Sequence, residues 1–362
     1  MILLKVIIAA GGTGGHIYPA LAIVKKIKEK DKKSEILYIG TTNRMEKDIV
    51  PKEGIDFVGL DMVGFNRKKI LANFSVLKKT YKAYKKAKKV IKEFNPDIVI
   101  GAGGYVSAPV LYAAHKLGIK TAIHEQNSIP GMTNKFLANF ADEIFISLPG
   151  SSKYFPSSKV LLTGNPRGEA IATVRKTSKT NLGFSKDEKL VVIVMGSLGS
   201  TTITEKLKKI IPKFKNKNYQ VLVITGNNYY DSYKDIKIPQ NVKLVPFMEN
   251  LINIMKDSSL LVSRAGASTI SEITSIGLPS ILVPSPYVTN NHQYLNAKEL
   301  EEAGACKILE EKDFNPKNLI NAIDSIFDDS AYYKKMKSSA KKIGINDGAT
   351  RIYEEIRKLI GE

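Results

Sequence analysis

Gly11-Gly12-Thr13-Gly14-Gly15-His16 directly follows the apolar run at residues 2–10 and precedes PALAIVKKIKEK at residues 19–30. The apolar run predicts a buried strand, and the later stretch predicts a helix with Pro19 in its first turn. A glycine-rich loop between a strand and a helix lets backbone N–H groups and the helix N-terminus face an anionic or sugar-phosphate ligand. His16 ends this loop, so the sequence predicts a ligand site at residues 11–16 with a titratable imidazole at its mouth.

Apolar strand-like runs alternate with amphipathic helical runs along the rest of the chain, which predicts an α/β fold with parallel sheets. The pattern restarts after the polar stretch at residues 165–187. We therefore expect two Rossmann-like domains, residues 1–163 and 164–345, facing each other across a cleft where strands end. No strand follows the last predicted helix, residues 349–360. Packing of this helix against the first domain is one arrangement that the sequence allows. The predicted strands are residues 2–10, 35–40, 97–101, 120–124, 143–147, 159–163, 189–195, 219–225, 242–245, 259–263 and 280–284.

Composition and charge narrow the class of protein. Of 362 residues, 43% are hydrophobic, and Cys306 is the only cysteine, which excludes an internal disulfide and favours a reducing cytoplasm. No stretch approaches the roughly 20 apolar residues of a membrane-spanning helix, and the opening run predicts a core strand and not a signal peptide. The net charge is +20, and residues 62–92 contain eleven Lys or Arg and no Asp or Glu. Such a segment is attracted to anionic lipid or nucleic acid, or is a solvated lysine face.

Three common site types are disfavoured. A dinucleotide site needs G-x-G-x-x-G, but Ile17 replaces the third glycine and the second strand ends without a carboxylate for the ribose. The chain contains no G-x-x-x-x-G-K-[ST], which excludes a P-loop. The histidines lack the paired spacing of a metal site, so no metal is expected. They are His16, His115, His124 and His292, of which His115 lies within a helical pattern that predicts a structural role.

Further segments in the first domain place polar groups at the predicted cleft. Residues 97–109 repeat the order strand, glycine loop, helix. His124-Glu125-Gln126-Asn127 follows a strand, and its groups suit either sugar hydroxyls or a hydrogen-bonded loop. Arg167, in Gly164-Asn165-Pro166-Arg167, either binds a diphosphate with its planar guanidinium or lies on the surface.

The second domain has a comparable loop at Ser263–Thr269. Its small residues lead into a helix whose first N–H groups, around Ala267 and Ser268, suit a diphosphate, and whose Glu272 suits ribose hydroxyls. Helix capping alone is the alternative. His292 and Gln293 begin another helix at the expected cleft edge.

These motifs together resemble the MurG family of peptidoglycan glycosyltransferases. The matching segments are GGTGGHIYPA, GAGGYVSAP, HEQNSIPGMTNK, TGNPR, SRAGASTISEITSIGLPSILVP and HQYLNAKELEEAGA, in the family's order from Gly11 to about Gly304. The resemblance implies the two-domain GT-B architecture and transfer of N-acetylglucosamine, with inversion, from UDP-N-acetylglucosamine to the C4 hydroxyl of N-acetylmuramic acid in undecaprenyl-linked lipid I, which yields lipid II. It implies a donor substrate and no tightly bound cofactor.

The resemblance also assigns roles to residues. His16 and Glu125 are implied as catalytic, with the general base left open between them. The implied acceptor-side residues are Tyr105, His124 and Asn134. The implied donor-binding residues are Thr13, Gly14, Gly15, Asn127, Arg167, Ser197, Met248, Arg264, Ala267, Ser268, Glu272, His292 and Gln293. The sequence departs from the family at residues 195–200, at Thr204, which replaces an asparagine, and at His292, which replaces a glutamine.

The family implies a peripheral protein on the cytoplasmic face of the membrane, with roles in cell shape and division and contact with other proteins of cell-wall synthesis and division. The basic segment then favours an anionic membrane surface, although its apolar positions Ile70, Phe74, Leu77, Tyr81, Tyr84 and Ile91 fit a core-facing stripe equally well. No RNA-binding motif accompanies the lysines, so nucleic acid is not an expected partner. The alternatives are another lipid-directed GT-B enzyme, such as a diacylglycerol glucosyltransferase, and a UDP-sugar epimerase of similar fold.

Overall fold

A computed structural model describes residues 3–64, 73–196 and 201–362. The chain forms two compact units. Unit 1 comprises Met1–Arg167 with Asp347–Glu362, and unit 2 comprises Gly168–Asn346.

Unit 1 contains a parallel sheet, which in the described part of the chain has seven strands in the order β3-β2-β1-β4-β5-β6-β7. Nearly all residues of the central strands are buried, as expected where helices cover both faces of a parallel sheet. The register pairs Ala9 of β1 with Ile39 of β2 and Gly101 of β4, so the loops after these strands leave the same edge. The strands are β1 (Lys5–Ala9), β2 (Glu35–Thr41), β3 (Asp56–Leu60), β4 (Ile98–Gly101), β5 (Lys120–Glu125), β6 (Glu143–Ile146) and β7 (Val160–Leu162).

Helices of unit 1 cover the two faces of this sheet. One face packs on α1 through Ile23 and Ile27, and the other packs on α3 and α4 through residues such as Ala87 and Val110. The helices are α1 (Gly14–Lys30), α2 (Glu46–Lys52), α3 (Asn73–Phe94), α4 (Ser107–Lys116) and α5 (Met132–Leu137).

Unit 2 has a second parallel sheet, with six strands among the described residues in the order β10-β9-β8-β11-β12-β13. Its strands are β8 (Lys189–Val194), β9 (Tyr219–Ile224), β10 (Val242–Val245), β11 (Leu260–Ser263), β12 (Ser280–Leu282) and β13 (Cys306–Ile308). The helices from Arg167 onward are α6 (Arg167–Thr173), α7 (Thr201–Ile210), α8 (Leu251–Met255), α9 (Ala267–Ile276), α10 (His292–Glu302), α11 (Pro316–Asp328) and α12 (Ser330–Ile343).

The C-terminal helix α13 (Gly348–Leu359) belongs to unit 1 and packs against α1. Its Ile352 and Ile356 are fully buried in the same apolar cluster as Ile23 and Ile27. In the described part of the chain, no helix is both long enough and apolar enough to cross a membrane.

The α/β class with parallel sheets is confirmed, and several local predictions were wrong. Strands β3 and β13 were missed because one contains a glycine and is only partly buried, and the other has three residues. Helix α1 begins at Gly14, so Pro19 lies inside it and not in its first turn. The ring lacks the N–H that would bond the carbonyl one turn back.

Of the two alternatives left open for the apolar positions of α3, the core-facing one fits only Ile91 and, in part, Tyr84. Val76, Ala83, Ala87 and Ile91 form the buried face instead. Of the predicted stripe, Phe74, Leu77 and Tyr81 are exposed, Tyr84 is partly buried, Ile91 is buried, and Ile70 lies outside the described residues. Alanines at the buried positions allow a close approach to α4, which the hydrophobic periodicity alone did not reveal.

Candidate active site

Two glycine loops interlock at the carboxyl edge of the unit 1 sheet. The Gly11 N–H donates to the Gly103 carbonyl at 3.2 Å. A Cβ built on Gly104 would lie 2.3 Å from the Gly11 carbonyl oxygen, and one on Gly103 would lie 2.4 Å from Cδ2 of His16. Both positions also have φ in the left-handed region, at +84° and +102°. The second loop therefore needs glycine so that the first loop and its imidazole can fit against it.

The His16 ring is held by the loop that precedes it. Its Nδ1 lies 3.1 Å from the Gly11 carbonyl oxygen and 3.3 Å from the Thr13 hydroxyl. Because a carbonyl only accepts, Nδ1 bears the proton in this contact, and Nε2 bears the lone pair of the neutral ring. The half-buried ring is thus set in the tautomer that a general base at Nε2 requires.

Sequence reasoning missed Glu46, a fully buried carboxylate at the start of α2. Its Oε2 accepts from the Gly12 N–H at 3.1 Å, and its Oε1 accepts from the N–H and hydroxyl of Thr41 at 3.0 and 2.6 Å. A Cβ on Gly11 would lie 2.2 Å from Oε1, and one on Gly40 would lie 2.7 Å from Cγ of Glu46. Gly11 and Gly40 provide the space for this side chain. The sequence shows these glycines, but it does not show that Glu46 packs against them.

Glu125 lies buried at the end of β5 and organises the loop after it. Its Oε1 accepts from the Asn127 N–H at 2.9 Å and from the Asn127 side-chain amide at 3.3 Å. Its Oε2 accepts from the Gly131 N–H at 3.1 Å and from Asn134 Nδ2 at 2.7 Å. The structure therefore brings Glu125, Asn127 and Asn134 together, with the carboxylate used as an acceptor within the loop.

His124 is fully buried beneath this loop. Its Nδ1 lies 3.0 Å from the Gln126 amide nitrogen, and its Nε2 lies 3.3 Å from the Gly164 carbonyl, so the proton is on Nε2. Burial lowers the pKa of His124 to about 4, the bond to Gly164 opposes this shift, and the charge of nearby His16 adds to it. His124 is therefore neutral, and its hydrogen bond to Gly164 connects β5 to the segment before Arg167.

Tyr105 and Arg167 lie near the glycine loops of the same unit. The Tyr105 hydroxyl is buried and has no hydrogen-bond partner within residues 3–64, 73–196 and 201–362. The Arg167 guanidinium lies 5.1 Å from the centre of the Tyr18 ring of α1, a cation–π contact. The Asn165 side chain accepts from the Arg167 N–H at 3.1 Å. These contacts bring the residues 164–167 motif to the helix that begins with Gly14.

In unit 2, loops after β11 and β13 meet at the carboxyl edge of the sheet. Arg264 donates to Glu311 at 2.6 Å and to the Val283 carbonyl at 3.1 Å. Asn296, fully buried in α10, donates to the Ala265 carbonyl at 3.2 Å. Helix α9 then begins at Ala267, with Gly266 at its N-cap, and ends at Ile276, followed by Gly277 with φ at +72°. Glu311 was also missed from the sequence, because nothing in its local pattern indicates an ionic partner far along the chain.

The other predicted donor-binding residues occupy several elements of unit 2. Ser268 lies in the first turn of α9, and Glu272 is buried further along the helix. The side-chain amide oxygen of Gln293 accepts from the Ser285 N–H at 2.9 Å, and His292 Nδ1 donates to the backbone carbonyl of Thr289 at 2.8 Å. Met248 is half-buried beside exposed Phe247. Ser197 lies outside the described residues. Over the described ranges, no three His, Cys, Asp or Glu side chains are placed to hold a metal ion.

An exposed apolar face lies on α3 among its lysines. This α3 apolar face consists of Phe74, Leu77 and Tyr81, with Phe74 74% exposed. Helix α4 packs between α3 and α5, and its Tyr112 ring lies 5.8 Å from Tyr84 and 6.2 Å from Phe136, which is also exposed. Exposed aromatic side chains beside a run of lysines are typical of a surface that meets a membrane interface.

Comparison with known proteins shows that both units match domains of one glycosyltransferase family. Residues 6–146 match the glycosyltransferase family 28 N-terminal domain, and residues 190–352 match the glycosyltransferase family 28 C-terminal domain. The chain is 45% identical to UDP-N-acetylglucosamine--N-acetylmuramyl-(pentapeptide) pyrophosphoryl-undecaprenol N-acetylglucosamine transferase 1 of Bacillus cereus, over 99% of this chain and 100% of that protein. The corresponding Bacillus licheniformis protein is 43% identical over 98% and 99%.

Solved structures of similar proteins share the fold of this chain. The crystal structure of Acinetobacter baumannii MurG superposes with a TM-score of 0.80 and 27% identity, covering 98% of this chain and 99% of that one. The UDP-GlcNAc 2-epimerase of Neisseria meningitidis superposes with a TM-score of 0.67 over 98% of this chain and 100% of that one. At 17% identity, the epimerase likeness shows a shared fold alone.

Proposed function

The chain belongs to the MurG family within glycosyltransferase family 28, and we propose that it performs this family's reaction with the residues described above. It is a UDP-N-acetylglucosamine-dependent glycosyltransferase with the two-domain GT-B fold. It transfers N-acetylglucosamine to lipid I, undecaprenyl-pyrophosphoryl-MurNAc-pentapeptide, and forms lipid II in peptidoglycan synthesis. The single observation that supports this most strongly is 45% identity across 99% of the chain and the whole of a relative with that name.

We assign acceptor chemistry to unit 1, with His16 as the general base. Its Nε2 accepts the proton of the C4 hydroxyl of N-acetylmuramic acid while that oxygen bonds to C1 of N-acetylglucosamine. The bond from C1 to the UDP oxygen breaks on the opposite face, so the configuration inverts. Glu125 is the less suitable base, because both of its oxygens accept hydrogen bonds within its own loop. In this assignment Glu125, Asn134 and His124 shape the loop that, with Tyr105, receives the acceptor.

We assign donor binding to unit 2 and to the residues that the family motifs match. UDP gains negative charge as the glycosidic bond breaks, and the first N–H groups of α9, at Ala267 and Ser268, stabilise that charge. Arg264 fixes the loop before α9 through its ion pair with Glu311. Glu272 accepts from the ribose hydroxyls, and the Met248 backbone meets the uracil ring. The remaining assigned donor contacts are Thr13, Gly14, Gly15, Asn127, Arg167, Ser197, His292 and Gln293.

Arg167 gives a test of the donor assignment. Arg167→Ala should weaken UDP binding, because the guanidinium would otherwise pair with the diphosphate. Inhibition of turnover by UDP reports this affinity. An unchanged UDP inhibition constant would remove Arg167 from the donor site.

We further propose that the protein docks peripherally on the anionic cytoplasmic face of the membrane through the α3 apolar face and its lysines. Phe74→Ser should reduce binding to vesicles containing an anionic lipid, measured by co-sedimentation. Tyr287→Ser is a matched control, because Tyr287 is an aromatic residue of unit 2 with 76% exposure. Binding that neither salt nor Phe74→Ser reduces would contradict this docking. We also propose that the protein contacts other proteins of cell-wall synthesis and division at the same membrane. Through these partners it would take part in cell shape and division.

The reaction is tested by transfer of radiolabel from UDP-N-acetylglucosamine to a lipid I analogue. Parallel reactions contain diacylglycerol, or no acceptor, with the free donor analysed for its 2-epimer. We expect label only in the lipid II analogue. Label in diacylglycerol, or an epimerised donor, would overturn the assignment. A parallel reaction with a chelator tests the expectation that no metal ion is needed.

A further inference from the structure

We propose that Glu46 is a positioning residue for catalysis, acting on His16 through the peptide group that joins Gly11 to Gly12. This inference rests on the proposed function, in which His16 is the general base. Glu46 itself lies beneath the loop and is fully buried, so its role is exerted through the backbone and not by contact with a substrate.

One peptide group links the two side chains. Its N–H, from Gly12, donates to Glu46 Oε2 at 3.1 Å, and its carbonyl, from Gly11, accepts from His16 Nδ1 at 3.1 Å. Because the peptide group is planar, anchoring the N–H at one end fixes the direction of the carbonyl at the other. The carboxylate therefore sets the orientation and tautomer of the imidazole without touching it.

Glu46 is itself rigidly anchored. Thr41, the last residue of β2, donates to Oε1 through both its N–H and its hydroxyl. The three donors suit a carboxylate, and hydrogen bonds to a charged acceptor are stronger than those between neutral groups. The side chain fills the space left by the absent Cβ atoms of Gly11 and Gly40, so it has little room to move. Glu46 thus fixes the peptide between Gly11 and Gly12 to the carboxyl end of β2.

The chain of hydrogen bonds also favours the protonated imidazole that forms as His16 takes up a proton. A negative charge behind the peptide polarises its carbonyl toward His16. Among the described residues, the titratable groups that interact with this pair include Tyr38, from β2, and His124, from β5. Burial, together with the charge of Glu46, raises the pKa of Tyr38, and burial lowers that of His124 to about 4, so both stay neutral between about pH 5 and 8.

Glu46→Gln is the informative variant, because it keeps the volume and removes the charge. Its amide N–H₂ must face either the Gly12 N–H or the Thr41 N–H, so one anchor becomes repulsive. We expect kcat to fall by roughly 10–10²-fold, the cost of misplacing a catalytic group by about 1 Å. The KM for UDP-N-acetylglucosamine should stay within about twofold. The acid limb of the pH profile should move to lower pH, since losing the nearby negative charge lowers the pKa of the base.

A double-mutant cycle separates positioning from a purely structural role. In a His16→Ala background, Glu46→Gln should reduce turnover by less than about threefold, because its effect passes through the missing imidazole. Losses that multiply, or wild-type turnover by Glu46→Gln alone, would overturn the inference. Inactivity of the wild-type protein toward lipid I would instead overturn the proposed function, which keeps the two failures distinct.

Two further variants complete the test: one is a matched control, and the other replaces Glu46→Gln if that variant does not fold. Asp142→Asn is the matched control, because Asp142 Oδ2 accepts from the N–H and hydroxyl of Thr121 at 2.8 and 3.0 Å at the amino end of the same sheet. It should retain wild-type kcat and pH profile. If Glu46→Gln does not fold, judged by loss of the thermal unfolding transition that UDP does not shift, Thr41→Val breaks one of the three bonds and should lower kcat by roughly two- to fivefold. Unchanged kcat in Thr41→Val would then refute the inference.

Discussion

The buried ion pair between Arg264 and Glu311 gives a quantitative test of the unit 2 site. The two side chains are 2.6 Å apart and only 11% and 5% exposed, so both charges have lost most of their water. Arg264 keeps a second bond to the Val283 carbonyl, and the Lys206 ammonium bonds the backbone carbonyl of Glu311. Glu311→Gln removes the charge of the carboxylate and leaves these backbone contacts in place.

The expected cost follows from desolvation. Removing one partner of a buried ion pair leaves an uncompensated charge and costs about 3–5 kcal/mol. The glutamine carbonyl can still accept from Arg264, so we take the lower end, about 3 kcal/mol. In a domain of the size of unit 2, each kcal/mol shifts the melting temperature by about 2–4 °C, which predicts a decrease of about 6–12 °C. UDP affinity should fall by about tenfold, because the loop before α9 loses its anchor.

The assay is thermal unfolding with and without UDP, since the transition that UDP shifts identifies unit 2. Glu310→Gln is the matched control, because Glu310 pairs with Lys312 on the surface at 3.2 Å, where such a pair contributes at most about 1 kcal/mol. If both variants unfold at the same temperature and bind UDP equally well, the argument from burial is wrong.

Three other perturbations test unit 1. His16→Ala should lower kcat by about 10²–10⁴-fold without changing UDP affinity, and wild-type-like turnover would exclude His16 as the base. Gly103→Ala should abolish most activity by displacing His16, whereas Gly118→Ala, with φ at +73° and open space around its Cβ position, introduces only backbone strain; equal losses would contradict this. Because burial lowers the pKa of His124 to about 4, its neutral form contributes stability above about pH 6.5 that is lost as pH falls toward 4, up to about 3 kcal/mol. His124→Gln should flatten the pH dependence of the urea midpoint over that range, and an unchanged slope would refute the assignment.

The amino-acid sequence determined the fold class and the family. Continuous apolar runs such as residues 6–10 predict strands buried in a parallel sheet, and glycines directly after them predict close backbone approach. Both signals are local, so they can be recognised without knowing what packs against them. The motifs that identify the MurG family are likewise contiguous segments, and their order from residue 11 to about residue 304 can be read along the chain.

Only the tertiary structure decided which side chains support the site. Glu46 bonds Gly12 across 34 residues, and Arg264 bonds Glu311 across 47, distances along the chain that no periodicity encodes. The same holds for the burial of His124 and for the outward direction of Phe74, because each depends on a neighbouring element that the local pattern does not contain. Local sequence fixes backbone geometry through sterics and apolar spacing, whereas the protonation and orientation of a buried polar group depend on partners that folding brings together.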